Sequence, residues 1–183
     1  MIISRVAGRY ANALFTEAEQ TKTLETILDD LRSLRSMLQE SRELALFVAN
    51  PAIKAAHKRT ALAAIADKAG LSAMTKNWLG LLVEKSRVGE LYDIIAAFEE
   101  LYNKAHNIMP VVITSALELD SSQKSNLLAK LEAQTGKKIL PTFATNPALI
   151  GGFTVKIGDT LIDSSISRQL ATLKKRMMEN AMN

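Results

Sequence analysis

The chain is expected to be mainly α, with an N-terminal six-helix bundle followed by a small α+β domain. Three observations lead there. Of its 183 residues 48% are hydrophobic but only 5% aromatic, and Ala and Leu dominate, a composition that suits helices. Apolar residues recur at the three-and-four spacing of a helix face from Ser4 to Ala105. Past Asn107–Pro110 the texture shifts to β-branched runs punctuated by glycine. The expected domains are therefore residues 1–105 and 106–183.

In the first domain, the opening helix runs over Ser4–Gln20. Leu24, Ile27, Leu28, Leu31, Leu34 and Leu38 line one face of the next. A short piece follows from Glu43 to Val48. Asn50-Pro51 breaks the pattern, because the proline ring disfavours helix at the residue before it. A fourth helix is expected over Ala52–Ala69, ended by Gly70 in a left-handed cap. Ser72 can cap a fifth helix that holds Trp78, Leu79 and Leu82. Gly89 marks a break, and the sixth helix carries Leu91, Ile94, Ile95, Phe98, Leu101 and Tyr102. Short turns between such helices favour an antiparallel bundle.

In the second domain, Val111, Val112 and Ile113 read as a strand. Asp120–Gln134 is an amphipathic helix with Leu127, Leu128 and Leu131 inward, ended by Gly136. Lys138–Thr145 is a second strand. Phe153, Val155 and Ile157 alternate with Thr154 and Lys156, and Gly158-Asp159 makes a two-residue hairpin turn into Thr160–Ile162. Ser164 or Ser165 then caps a final helix with Ile166, Leu170, Leu173 and Met177 on one face.

Composition also excludes function classes. The chain has no cysteine, which removes disulfides, thiolate catalysis and zinc-thiolate sites. No run of about 18 apolar residues is present, so no helix is expected to span a membrane. The N-terminus lacks the continuous apolar stretch of a secretory signal, and Glu17 and Glu19 come too early for a transit peptide. Net charge is +4 overall; residues 1–105 carry 14 Lys/Arg against 13 Asp/Glu, and residues 106–183 carry 9 against 6. Neither balance demands a polyanion.

Gly151-Gly152, Lys156 and Gly158 do not form a phosphate loop, since their spacing is wrong and the glycines lead into a strand. Gly152 instead permits a bulge or a close backbone approach. His57 and His106 stand in different halves without a second ligand at helix spacing. Asp29-Asp30 and Glu99-Glu100 are adjacent pairs that diverge by about 100° on a helix; they read as solvated faces. No serine has an accompanying base. No catalytic group, cofactor or metal is therefore expected. Lys137-Lys138 and Lys174-Lys175-Arg176 could contact nucleic-acid phosphates, but no aromatic residues interleave them. This leaves, as the alternative function, a cytosolic nucleic-acid-binding protein using the basic C-terminal helix.

Two helices have apolar arcs wider than a bundle requires. On the first, Ile3, Ala7, Ala11, Leu14 and Ala18 form one stripe, flanked by Val6, Tyr10 and Ala13 on one side and Phe15 on the other. That arc is about 200° wide, twice the minimum for a surface helix. On the fifth, Met74, Trp78, Leu81 and Leu82 lie to one side and Leu79 and Val83 to the other. Either both helices sit centrally in the bundle, or they border a groove that receives an amphipathic helix.

The run Pro147–Leu170 resembles the C-terminal signature of the ATP synthase delta subunit family, which includes the mitochondrial oligomycin-sensitivity-conferring protein. Its elements are Leu149-Ile150-Gly151-Gly152-Phe153, Val155-Lys156-Ile157-Gly158-Asp159, Asp163-Ser164-Ser165-Ile166 and Leu170. Ala7, Arg9-Tyr10-Ala11 and Ala13-Leu14-Phe15 resemble the family's opening helix, and Asn50-Pro51 and Asn77–Leu91 with Arg87 fit its middle. The resemblance implies a non-catalytic stator subunit that joins the catalytic head to the peripheral stalk and resists rotation of the head. It implies that the first and fifth helices take the N-terminal helix of an alpha subunit, here at Val6, Tyr10, Ala13, Leu14, Met74, Trp78, Leu81 and Leu82. It implies that the C-terminal domain holds the b subunits, with Gly151, Gly152, Gly158 and Asp163 as structural markers. The missing transit peptide adds the expectation of a bacterial member, peripheral on the cytoplasmic face of the inner membrane.

Overall fold

The computed structural model describes residues 4–181, without the side chains of Lys175, Arg176, Glu179, Asn180 and Ala181. It is mainly helical, and the chain divides into two units, Met1–Tyr102 and Asn103–Asn183. The division falls in the last turn of the sixth helix, a little before the expected 105/106 boundary.

Unit 1 is a bundle of six helices: α1 (Arg5–Gln20), α2 (Leu24–Glu40), α3 (Arg42–Ala49), α4 (Ala55–Lys68), α5 (Ala73–Glu84) and α6 (Leu91–Ala105). Local chemistry sets most of their ends. Ser4 caps α1, its hydroxyl oxygen accepting from the amides of Val6 (3.2 Å) and Ala7 (3.3 Å). Ser41 caps α3 through the Leu44 amide, and Ser72 caps α5 through the Thr75 amide, each satisfying an amide that has no partner within the helix. The fourth helix starts at Ala55, not Ala52. The Asn50 side chain accepts from the Ala52 amide at 2.9 Å, closing a turn where the first helical turn was expected. Gly70, at φ +68°, ends that segment.

One core serves the whole bundle. Ala7, Ala11, Leu14 and Ala18 of α1 meet Ile27, Leu28, Leu31 and Leu34 of α2 and the inner face of α6, from Leu91 to Phe98. Alanines let α1 approach closely, and the Phe15 and Phe98 rings fill the space beside them at 5.7 Å between centroids. A buried lysine also belongs here. Lys58 of α4 donates to the Val48 carbonyl at 2.6 Å, neutralising an orphan acceptor at the C-terminal end of α3. Burial lowers its pKa from the ordinary lysine value.

Unit 2 contains β1 (Ile108–Ser115), α7 (Ser121–Thr135), β2 (Lys138–Thr145), β3 (Phe153–Ile157), β4 (Thr160–Asp163) and α8 (Ile166–Ala181). The sheet order is β2-β1-β3-β4. β1 and β2 are parallel, joined through α7, and the other pairs are antiparallel. α7 begins in a full capping box between Asp120 and Gln123 and ends at Gly136, φ +65°. Strand register puts Val111, Ile113, Ile139 and Val155 on one face, where they join Leu131 of α7 in the core. The other face carries Val112, Leu140 and Leu161, exposed by 41%, 46% and 58%.

Candidate partner-binding surfaces

α1 and α5 run antiparallel, and contacts at both ends fix this. The Ser4 hydroxyl at the start of α1 donates to Glu90, beyond the end of α5, at 2.9 Å. Thr23, just past the end of α1, lies with its hydroxyl 3.9 Å from the sulfur of Met74 in the first turn of α5. The eight residues expected to line a groove divide into three groups. Leu14, Trp78 and Leu82 are core residues, because each falls inside the arc that its helix turns toward the bundle. Val6, Tyr10 and Met74 are half-buried, and Ala13 and Leu81 are exposed. Five of the eight thus reach the surface, with the other three beneath. Ile3 lies outside the described residues. The buried indole N–H of Trp78 has no acceptor among the described residues.

Carboxylates hold α5 at both ends. At its start, one oxygen of Asp30, from α2, accepts from the Ser72 amide at 2.9 Å and from the Thr75 hydroxyl at 2.7 Å. A negative charge there also meets the positive end of the helix dipole. At its end, the amides of Ser86 and Arg87 bond back to the carbonyls of Val83 and Leu82, with Ser86 at φ +57°. This is a Schellman turn with serine where glycine is usual. Arg87 then reaches Glu90 at 3.0 Å. Two carboxylates expected on solvated faces have structural partners instead: Asp30 caps α5, and Glu99 pairs with Arg35, which also lies over the Tyr92 ring at 5.5 Å. Burial alone would lower the Arg35 pKa, but the Glu99 charge and the Tyr92 hydroxyl outweigh it and the value is raised. Asp29 and Glu100 are exposed as expected.

A cleft of about 400 Å³ between α4 and α5 was not anticipated. Arg59, Leu62 and Ala63 form one wall and Gly80, Leu81 and Glu84 the other. A Cβ on Gly80 would meet nothing within 4 Å. Glycine inside a helix costs about 1 kcal/mol relative to alanine, so Gly80 was the available sequence signal.

In unit 2 the signature residues build the junction between sheet and last helix. Gly152 has φ +76°, and a Cβ there would stand 2.4 Å from the Ser164 carbonyl oxygen. A Cβ on Gly151 would strike the Ile166 side chain at 2.5 Å. Gly158, at φ +55°, turns β3 into β4. Asp163 accepts from the Ser165 amide at 2.9 Å, and hydrogen bonding by the Ser165 hydroxyl and amide holds its carboxyl below the usual range. Ser165, fully buried, accepts from the Arg168 amide at 3.3 Å and so caps α8. The helix then presents Ile166, Leu170, Leu173 and Met177, exposed by 42%, 51%, 55% and 64%. Lys174 is exposed; the side chains of its neighbours Lys175 and Arg176 lie outside the described residues.

Among the described residues no three His, Asp or Glu side chains converge as metal ligands, and no helix is long and apolar enough to cross a membrane. The surfaces consist of apolar helix faces, charged caps and a cleft.

Comparison with known proteins gives the family of the chain. The model of the family described as ATP synthase delta (OSCP) subunit matches residues 6–177. The chain belongs to this family. It is 37% identical over 179 residues to the ATP synthase subunit delta of Desulforamulus reducens, covering 97% of this chain and 98% of that one. The corresponding subunit of Rhodospirillum rubrum is 38% identical over 175 residues, covering 96% and 94%. Among solved structures, a chain of the Toxoplasma gondii mitochondrial ATP synthase hexamer has the same fold, with a TM-score of 0.76, 24% identity and coverage of 96% and 98%.

Proposed function

We propose that this chain is the non-catalytic stator adaptor of an F-type ATP synthase. Unit 1 binds the catalytic head through the N-terminal helix of an alpha subunit, and unit 2 binds the b subunits of the peripheral stalk. The chain so linked resists rotation of the head while proton flow drives synthesis. The observation that carries the reading is the match, over nearly its whole length, to ATP synthase delta subunits. Its bacterial relatives support a peripheral position on the cytoplasmic face of the inner membrane.

The role requires affinity and no bond chemistry. A Kd near 1 nM corresponds to about 12 kcal/mol, and a few apolar anchors usually supply most of such a figure. On α1 and α5, Val6, Tyr10, Ala13, Met74 and Leu81 make the contact, with Leu14, Trp78 and Leu82 as the floor beneath. On unit 2, the uncovered face of α8 supports stalk attachment, because apolar stripes of this kind mark interaction sites.

Tagged protein incubated with solubilised membranes of the source cells is expected to recover alpha and b subunits together. Tyr10→Asp is expected to remove alpha while keeping b, since a charge placed on the half-buried face of α1 must be desolvated when a helix docks. Recovery of neither subunit by the wild-type protein would overturn the proposal. Equal loss of both in a folded Tyr10→Asp variant would overturn the assignment of the head to α1.

A further inference from the structure

We infer that Ser4, Arg87 and Glu90 form a clasp fixing the start of α1 to the end of α5, with Glu90 the positioning residue for the head-binding face. The inference rests on the groove reading above and adds what sets its geometry. The Ser4 hydroxyl is fully committed. Its oxygen accepts from Val6 and Ala7 at 3.2 and 3.3 Å, and its proton goes to one Glu90 oxygen at 2.9 Å. The other Glu90 oxygen accepts from Arg87 at 3.0 Å. The Arg87 amide in turn bonds to the Leu82 carbonyl at 2.8 Å, inside the turn that ends α5. An unbroken run of hydrogen bonds thus joins the last turn of α5 to the first turn of α1.

Its partners are unequal in strength to those at the other end of the same helix pair. There, the polar link is a hydroxyl 3.9 Å from a thioether sulfur, a weak acceptor. At the clasp, both bonds to Glu90 are charge-assisted and therefore stronger than neutral ones. Val6 and Tyr10 stand in the first two turns of α1, next to the clasp. Loss of the Glu90 carboxylate leaves the Ser4 proton without its acceptor and Arg87 without its partner. The first turn of α1 is then free to move away from α5, carrying Val6 and Tyr10 with it.

The test uses the full chain and a synthetic peptide of the alpha-subunit N-terminal segment as probe. Glu90→Ala is expected to weaken peptide binding by about tenfold or more, the loss of a charged hydrogen bond. It is also expected to speed exchange at the Val6 and Ala7 amides and to leave recovery of b subunits unchanged. Glu90→Gln, which keeps an acceptor for Ser4 but loses the charge, is expected to restore part of the affinity. Ser4→Ala, which removes the α1 cap as well as the link to Glu90, is expected to weaken binding at least as much as Glu90→Ala, and the double variant to be little worse than Ser4→Ala, because the link is a single unit. Wild-type affinity and exchange in Glu90→Ala would overturn the clasp. Additive losses in the double variant would do the same. If wild-type protein fails to bind the peptide, the head-binding reading falls, and the clasp stands or falls on amide exchange in the same variants.

Discussion

Helix α6 in unit 1 and helix α8 in unit 2 carry closely similar apolar spacing and differ in what covers it. α6 buries Leu91, Ile94, Ile95 and Phe98, all at 1% exposure or less. α8 has Ile166, Leu170, Leu173 and Met177 at comparable intervals, and none of the four is less than 42% exposed. The units differ in the same way. Unit 1 closes its helices around one core, whereas the core of unit 2 rests on Val111, Ile113, Leu131, Ile139 and Val155. Periodicity declares that a helix has an apolar face. Whether that face meets its own chain or another depends on whether neighbouring elements surround it. Unit 1 thus covers its apolar helix faces from within, and unit 2 leaves apolar faces exposed.

Matched leucines provide the strongest way to break this comparison. Leu91→Ala in α6 is expected to cost about 3–4 kcal/mol, the range for removing a buried leucine without collapse of the cavity. Leu173→Ala in α8 is expected to change stability by no more than about 0.5 kcal/mol while reducing recovery of b subunits. Chemical denaturation followed by unit-specific probes reads the first, and affinity capture the second. A large stability loss from Leu173→Ala would mean that α8 is covered by its own chain, and the contrast between the helices would vanish.

A second test asks whether unit 2, despite its smaller core, has a point of rigid specification. Gly152→Val is expected to destabilise unit 2 by about 3 kcal/mol, through positive φ and a collision with backbone that cannot swing aside. The Cβ contact at issue is with the Ser164 carbonyl oxygen, so no rotamer change relieves it. Unchanged melting of unit 2 would show that the sheet–helix junction rearranges freely. Gly158→Ala makes a useful reference, since a Cβ there meets nothing within 4 Å and only the φ penalty remains.

Much of this architecture was legible in the chain because its signals are local. The periodic leucines of α2, the break at Asn50-Pro51, the glycines at 70, 136 and 158 and the capping residue Ser72 each act within one turn of helix or strand. Apart from the start of α4, where the Asn50 turn replaces a helical turn, the structure departs from these signals where a partner lies far along the sequence. Asp30 looked solvated because its bonds go to Ser72 and Thr75, and Glu99 because its partner is Arg35. Leu14, Trp78 and Leu82 belong to a wide arc, and spacing alone gives no way to divide such an arc between floor and surface. Sheet order was also beyond reach of local pattern, since it depends on α7 carrying the chain across to pair β2 parallel to β1. The resemblance at Pro147–Leu170 supplied the family, and the family match confirms it.

The smallest expected effect separates helix starts in unit 2 held by a titrating carboxylate from one in unit 1 held by a hydroxyl. Each helix of unit 2 has a carboxylate at its start: Asp120, which caps α7 and is held below the usual range by the Gln123 amide and the Ser122 hydroxyl, and Asp163, which accepts from the amide of Ser165, the cap of α8, and is held down by it. A depressed folded pKa means that the unfolded chain takes up protons first. The stabilisation is therefore fully present above the unfolded carboxyl value of about 3.9, and is lost as pH falls through the folded value. In unit 1, α3 is capped by the hydroxyl of Ser41, which does not titrate there. Below about pH 4 the amides of Gln123 and Ser165 are thus expected to lose protection, while that of Leu44 keeps it, as followed by NMR or amide exchange. Asp120→Asn and Asp163→Asn keep an acceptor without its titration, and are expected to flatten the dependence. Equal acid sensitivity at all three amides, with the substitutions making no difference, would show that fraying in unit 2 follows global unfolding and owes nothing to its caps.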